Sequence, residues 1–295
     1  MPDDPSTTAL FDRRAWRLHR QRASRIGSVD FLHDEVAERL VDRLELISRA
    51  FAVVLDLGAR NGSLARALTA RNGTESVIAA EPARGFLKNA PKPRVVADPE
   101  LVPFADDSFD LIASNLVLHW AGDLPGTLVQ LRRVLKPDGV LLATMFGGGT
   151  LAELRTAMLE AELNEEGGVS PRVSPSVELG DAAALLQRAG YTLPVADSET
   201  LTVTYPSLPA LVRDLRGMGE TNALAARRRT GLRRATFARA AQIYAERFGD
   251  ADGRIPATFE ILFLCGWAPH PSQPLPLPRG SATARLADAL KAQTS

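Results

Sequence analysis

A single cysteine, Cys265, stands in 295 residues, so an internal disulfide is excluded and a reducing compartment is expected. The thiol lies in the apolar run Phe259–Trp267, where it reads as a buried strand residue rather than a nucleophile. Neither sign of charge is in excess. The 35 basic side chains are matched by 35 acidic ones, which removes the electrostatic footprint of a nucleic-acid binder. No run of about 18 apolar residues occurs, the length a helix needs to cross a bilayer. The N-terminus lacks the apolar core of a signal peptide, and Asp3 and Asp4 argue against a transit peptide, so a bacterial cytoplasmic protein is expected. Histidine is scarce, four in all, and scattered. The one local match to a metal pattern, His33-Asp34-Glu35, falls in a helical pattern where residues two apart point about 200° from each other. No protein-bound metal is predicted, and no internal repeat is seen.

What the chain has is a core-forming composition, 45% hydrophobic and 24% charged, and one informative loop. Val53-Val-Leu-Asp-Leu-Gly-Ala-Arg-Asn-Gly62 runs apolar residues into an acid, then into a turn with glycines at 58 and 62, then into the helical pattern Ser63–Leu68. That is a buried parallel strand, a tight turn and a helix start. Such a turn lets a ligand approach the backbone without a Cβ in the way. The dinucleotide fingerprint requires glycine at position 60, where this chain has arginine.

Further strands follow. Ser76–Ala80 ends in Glu81, an acid able to accept from both hydroxyls of a ribose. Arg94–Ala97 ends in Asp98. Val140–Phe146 leads into Gly147-Gly-Gly149, after which Thr150 reads as the N-cap of a helix with Glu153 at the capping-box position. Asp181–Ala189 is a short helix closed by Gly190. Leu201–Tyr205 alternates as a strand, a helical insertion of roughly 45 residues follows, and Ala257–Trp267 is a long final strand. Upstream, residues 10–50 form a helical preface. Phe11, Ala15 and Leu18 share an apolar face, and Arg13, Arg14, Arg17, Arg20, Arg22 and Arg25 crowd the rest. This basic face is either solvated, or a lid, or a contact for an anionic surface such as a membrane. The chain thus divides into a helical cap (1–50), a core (51–200), the last strands with their insertion (201–270) and an extended proline-rich tail (271–295).

The glycine loop resembles the acid-x-Gly-x-Gly-x-Gly pattern of class I S-adenosylmethionine (SAM) methyltransferases, with Arg60 in place of the middle glycine. Val102-Pro-Phe-Ala-Asp-Asp-Ser-Phe-Asp-Leu-Ile112 and Leu135-Lys-Pro-Asp-Gly139 are similar to further signatures of that superfamily, in its order and spacing. The resemblance implies an α/β class I methyltransferase (Rossmann-like) fold. Its mostly parallel seven-stranded sheet would carry N-terminal helices and a helical insertion before the last strand. It also implies SAM as cofactor, with Asp56, Gly58 and Gly62 at the methionine end, Glu81 on the ribose, Asp98 near the adenine and Asn115 lining the pocket.

A narrower resemblance extends over nearly the whole chain. Phe11-Asp-Arg13, Asn115-Leu-Val-Leu-His-Trp120, Met145–Arg155, Glu166–Pro171, Leu215–Asn222 and Arg279–Ala282 are similar to the methyltransferase-like assembly factors of respiratory complex I. That likeness implies modification of an arginine on the complex I iron–sulfur subunit, by hydroxylation in the mitochondrial relatives. The malonyl-carrier-protein methyltransferases of biotin synthesis are near cousins and supply the alternative. A non-catalytic, SAM-binding chaperone is a third reading, and Arg227-Arg-Arg229 leaves a tRNA methyltransferase as a fourth, against the neutral charge.

No catalytic residue is assigned. His119, Trp120, Arg155, Glu220 and Asn222 are the substrate candidates, each with a structural alternative: ring packing for the first two, a surface helix position for Arg155. The stretch Glu160–Glu166 reads as a solvated face. Hydroxylation would need an oxidant that the sequence does not reveal. Arg60 could swing clear of the cofactor or occupy its site. The bulk of a cation beside the sulfonium predicts a weakened site that Arg60→Gly would tighten.

Overall fold

The computed structural model describes residues 9–274, so most of the tail read as extended, and the Arg279–Ala282 segment, lie outside the described residues. The strands are β1 (Val53–Leu57), β2 (Ser76–Ala80), β3 (Arg94–Val95), β4 (Phe109–Ser114), β5 (Leu135–Phe146), β6 (Thr192–Tyr205) and β7 (Ile255–Trp267). They form one sheet in the order β3-β2-β1-β4-β5-β7-β6. The first five are parallel, β7 runs antiparallel to β5, and β6 antiparallel to β7. This is the class I methyltransferase architecture expected from the sequence. β6 crosses the 200/201 division and β7 returns to the same sheet, so residues 201–270 share the core of residues 51–200.

Nine helices flank the sheet among the described residues: α1 (Arg13–Ile26), α2 (Phe31–Glu45), α3 (Ser63–Thr69), α4 (Arg84–Leu87), α5 (Leu124–Val134), α6 (Ala152–Glu166), α7 (Leu179–Arg188), α8 (Leu208–Met218) and α9 (Arg234–Phe248). Central strands are apolar on both faces because both are covered. Leu55, Leu57, Ile112, Leu141 and Ala143 pack with residues of α1, α5 and α7. Their alternates Val54, Leu111, Ala113, Val140 and Leu142 pack with α2 and α3. The helical insertion, α8 and α9, joins α6 in a further core against Phe146, Phe259 and Ile261.

Several local readings change. β3 keeps only two residues, at the sheet edge. The strand read at 201–205 is the end of the 14-residue β6, whose outer half carries charges; Asp197 and Glu199 there pair with Arg43 and Arg39 of α2. Of the expected apolar face, Phe11 and Ala15 are buried but Leu18 faces solvent at 53% exposure, and Trp16, Arg20 and Ala23 complete the buried side. Thr150 does not cap α6. Its hydroxyl bonds the Glu260 backbone at 3.0 and 3.1 Å, and Glu153 holds Thr258, because β7 lies alongside and offers the stronger sites. The acidic stretch of α6 is not a plain solvated face either: Glu162 is buried against Arg172 and Ser170, and Glu166 pairs with Arg228 and Thr236.

Candidate functional site

Asp56, Glu81, Asp98 and Asn115 gather at the C-terminal ends of β1 to β4, the edge where open α/β sheets bind ligands. The loop after β1 is held tight. Gly58 and Gly62 have φ of 81° and 84°, and an added Cβ would lie 2.6 Å from Val117 and 2.5 Å from Ala90 respectively. Only glycine fits either position.

Asp56 is fully buried, and neither carboxylate oxygen has a hydrogen-bond partner. Burial, then the neighbouring charge of Glu81, pushes its carboxyl up to about 8; the Ala65 amide opposes this without reaching hydrogen-bond distance. Glu81, by contrast, is fully partnered. Its Oε1 accepts from Arg20 Nε at 3.0 Å and from the Ala83 amide at 3.0 Å, and its Oε2 accepts from Arg20 Nη2 at 2.7 Å and from the Arg60 amide at 3.2 Å. Asp98 takes Arg13 and Arg17 of α1, the latter at 2.8 Å, plus the Glu100 amide at 3.1 Å. The basic helix is therefore no solvated face along its inner side, since three of its arginines are aimed at the ends of β2 and β3. Asn115 donates to the His33 carbonyl at 2.8 Å and accepts from Thr144 at 3.0 Å, which ties β4 to α2 and β5.

Arg60 leaves the loop toward the C-terminus of α8. Its guanidinium pairs with Asp30 at 2.6 Å, donates to the carbonyls of Val29, Gly217 and Met218, and lies 4.6 Å from the Phe86 ring centre. Free carbonyls and the negative end of a helix suit a cation.

Other buried polar atoms nearby have no partner: Arg20 Nη1, Trp16 Nε1, both ring nitrogens of His33, and Glu220 Oε1. Burial, then Arg60, Arg20 and His119, holds His33 well below its usual range and so neutral. Unfilled donors and acceptors and a bare Asp56 carboxylate at this edge of the sheet are groups that a small zwitterion such as the amino-acid end of SAM could satisfy. Both carboxylate oxygens of Glu81, the expected ribose contact, accept from Arg20.

The substrate candidates divide. His119 and Trp120 sit on a short 3-10 helix, Leu118–Trp120, after β4. Glu220 follows α8, and its Oε2 receives His119 Nε2 at 3.1 Å and Trp120 Nε1 at 2.9 Å. Burial alone would raise Glu220. The adjoining His119, then Arg20 and Arg60, outweigh it and hold the acid below the usual range, hence ionised. These three residues line a cavity of about 690 Å³ with Phe146, Leu154, Met158, Val212, Phe237 and Phe259. Asn222 also lines it, but its side chain is spent on the Pro171 carbonyl and the Leu224 amide. Arg155 is not in this cavity. It faces a neighbouring hollow of about 860 Å³ behind residues 173–176 and donates to the Gly148 and Thr150 carbonyls. Arg20 was missed in the sequence, although its place four residues after Trp16 and three before Ala23 marks it as lying on their face.

A family model described as a methyltransferase domain matches residues 55–143. The chain is 41% identical over 287 residues to "Arginine-hydroxylase NDUFAF5, mitochondrial" of Homo sapiens, covering 95% of this chain and 83% of that protein. It is 40% identical to the Danio rerio protein of the same name, at 96% and 90% coverage. The malonyl-(acyl-carrier protein) O-methyltransferase of Xylella fastidiosa (strain M23) is 37% identical, with 83% of each chain covered. Among solved structures, the YcgJ protein of Bacillus subtilis shares the fold, with a TM-score of 0.55 at 17% identity over 79% of this chain and 99% of that one.

Proposed function

Because the chain belongs to the methyltransferase-domain family that includes the arginine-hydroxylase NDUFAF5 and the malonyl-(acyl-carrier protein) O-methyltransferases, we propose that it is a SAM-binding enzyme acting on an arginine of a protein substrate. The substrate in this reading is the iron–sulfur subunit of respiratory complex I, modified during assembly. The observation that carries it is Glu220, an ionised acid in an aromatic-lined cavity beside the cofactor edge of the sheet. Glu220 is the one acid among the described residues lining the cavity and suits a cationic side chain, whereas Arg216 and Arg234 on the same lining suit an anionic group such as a malonyl carboxylate.

In this reading Asp56 receives the ammonium of the cofactor, Gly58 and Gly62 admit its backbone, and Glu81 takes the ribose once Arg20 releases it. When bound, SAM supplies a methyl activated on a sulfonium. The chain's own residues bind, orient and exclude water: α1 closes over the strand ends, and the cavity walls align the acceptor. Residues outside the catalytic cavity fit a peripheral position at a membrane. Arg14, Arg22 and Arg25 of α1 are exposed, with Leu18 and Ile26 beside them, a face suited to anionic lipid. No helix among the described residues is long and apolar enough to cross a membrane.

A second reading, a chaperone without turnover, draws on the full complement of hydrogen bonds that Glu81 already has from the protein. The test is mass spectrometry of the iron–sulfur subunit from cells with and without the gene. One added oxygen or methyl on an arginine, present only with the gene, supports the enzyme. Identical masses with impaired NADH dehydrogenase assembly support the chaperone. Biotin auxotrophy with normal NADH dehydrogenase sinks both in favour of malonyl methylation.

A further inference from the structure

We propose that Glu220 forms the receptor for the guanidinium of the substrate arginine, with its Oε1 as the acceptor. The inference rests on the arginine-modifying reading of the cavity and adds the atom that selects its occupant.

Hydrogen-bond capacity is the first argument. Glu220 is 8% exposed, and both of its protein donors, His119 Nε2 and Trp120 Nε1, go to Oε2. Oε1 has none. A buried carboxylate oxygen without a donor is an unmet demand, here on a side chain that lines the cavity. His119 Nε2 and Trp120 Nε1 both donate to Oε2, which leaves Oε1 as the unmet acceptor. Arg20 Nη1 is an open donor nearby, but Arg20 is fixed to Glu81 and is not part of the cavity wall.

Shape is the second argument. The rings of His119 and Phe146 lie 4.6 Å apart, those of His119 and Trp120 5.6 Å, and those of Phe146 and Phe259 5.9 Å. Such faces hold a flat cation, and Leu154, Met158 and Val212 suit its aliphatic stem. Lysine offers a compact, strongly hydrated charge. Arginine offers five donors in a plane, and its fixed fork suits a carboxylate better than a point charge does.

The test uses the full chain, N-acetyl-arginine amide and N-acetyl-citrulline amide, its neutral isostere. Nuclear magnetic resonance reports binding through the indole N–H of Trp120, which bonds Glu220, assigned against variants of Trp16 and Trp267. The arginine amide should shift that resonance in a saturable way, and the citrulline amide should bind roughly tenfold more weakly or less. Glu220→Gln should erase the difference. An equal response to both amides in the wild type overturns the proposal without any variant having to fold. So does Glu220→Gln that still prefers arginine. The function itself fails separately. An iron–sulfur subunit with no modified arginine removes the arginine-modifying reading while the amide preference stands. Equal amide binding with the modification intact removes the guanidinium receptor alone.

Discussion

Arg20 Nε and Nη2 donate to the two carboxylate oxygens of Glu81 at 3.0 and 2.7 Å, an ion pair whose side chains are 1% and 0% exposed. Removing one partner strands a buried charge, which costs about 3–5 kcal/mol, whereas replacing both with apolar groups is close to neutral. Arg20→Met and Glu81→Ala should each lower the stability of the free protein by that amount in urea unfolding. Arg20→Met with Glu81→Leu should recover most of it. In Arg20→Met, Glu81 is left to the ribose, so S-adenosylhomocysteine should raise the melting temperature by more than it does in the wild type. A smaller rise would mean that Arg20 itself holds the cofactor.

Asp56 links the cofactor edge to pH. Its carboxyl is pushed from 3.8 to about 8 in the fold, so the folded state binds the proton more tightly than the unfolded chain. Its contribution is fully present below the unfolded value and is lost as pH rises through about 8, about 6 kcal/mol at most over that window. Stability should therefore fall between about pH 4 and 8, and Asp56→Asn should flatten that slope. An ammonium beside Asp56 favours the ionised form, so binding of S-adenosylhomocysteine near neutral pH should release protons. Calorimetry in buffers of different protonation enthalpy reads that release, and a buffer-independent enthalpy would take Asp56 off the ammonium.

Arg60 anchors the glycine loop to Asp30 and to the last carbonyls of α8. Arg60→Gly relieves a backbone held at φ 49°, worth about 1 kcal/mol, but removes the ion pair to Asp30 and the donors to the Val29 and Met218 carbonyls; Asp30 keeps Asn61 and Ser28, and the Gly217 carbonyl keeps the Val29 amide. A net loss of about 2–4 kcal/mol is expected in chemical denaturation. Arg60→Lys should lose nearly as much, because a point charge cannot span partners that a fork reaches. Tighter cofactor binding in Arg60→Gly, the expectation from the loop pattern alone, is checked by calorimetric titration of S-adenosylhomocysteine into the wild type and the variant at one ionic strength.

Cys265 should be inert in the native protein. Burial pushes its thiol up to about 11, so little thiolate exists at pH 8. Iodoacetamide should label it roughly a hundredfold more slowly in the fold than in urea, followed by mass spectrometry. Equal rates would mean that β7 opens readily at that position.

The sequence by itself determined the parts that are local. The run Val53–Leu57, the glycines after it and the start of α3 are read from neighbours in the chain, because a buried strand must be apolar on both faces and a tight turn must adopt positive φ. It also placed Glu81 and Asp98 at strand ends, since strand length and parallel order fix where the sheet edge falls. It did not tell what those acids hold. Glu81 meets Arg20 across 61 residues, Asp98 meets Arg17 across 81, and Glu220 meets Trp120 across 100. Such partners are chosen when layers pack, and no local preference encodes them. The same competition undid local signals: Thr150 and Glu153 spell a helix cap, but β7 lies beside them and takes their hydrogen bonds. Arg20 spells a solvated charge, and the fold buries it because an acid already buried at the end of β2 needs a counter-charge.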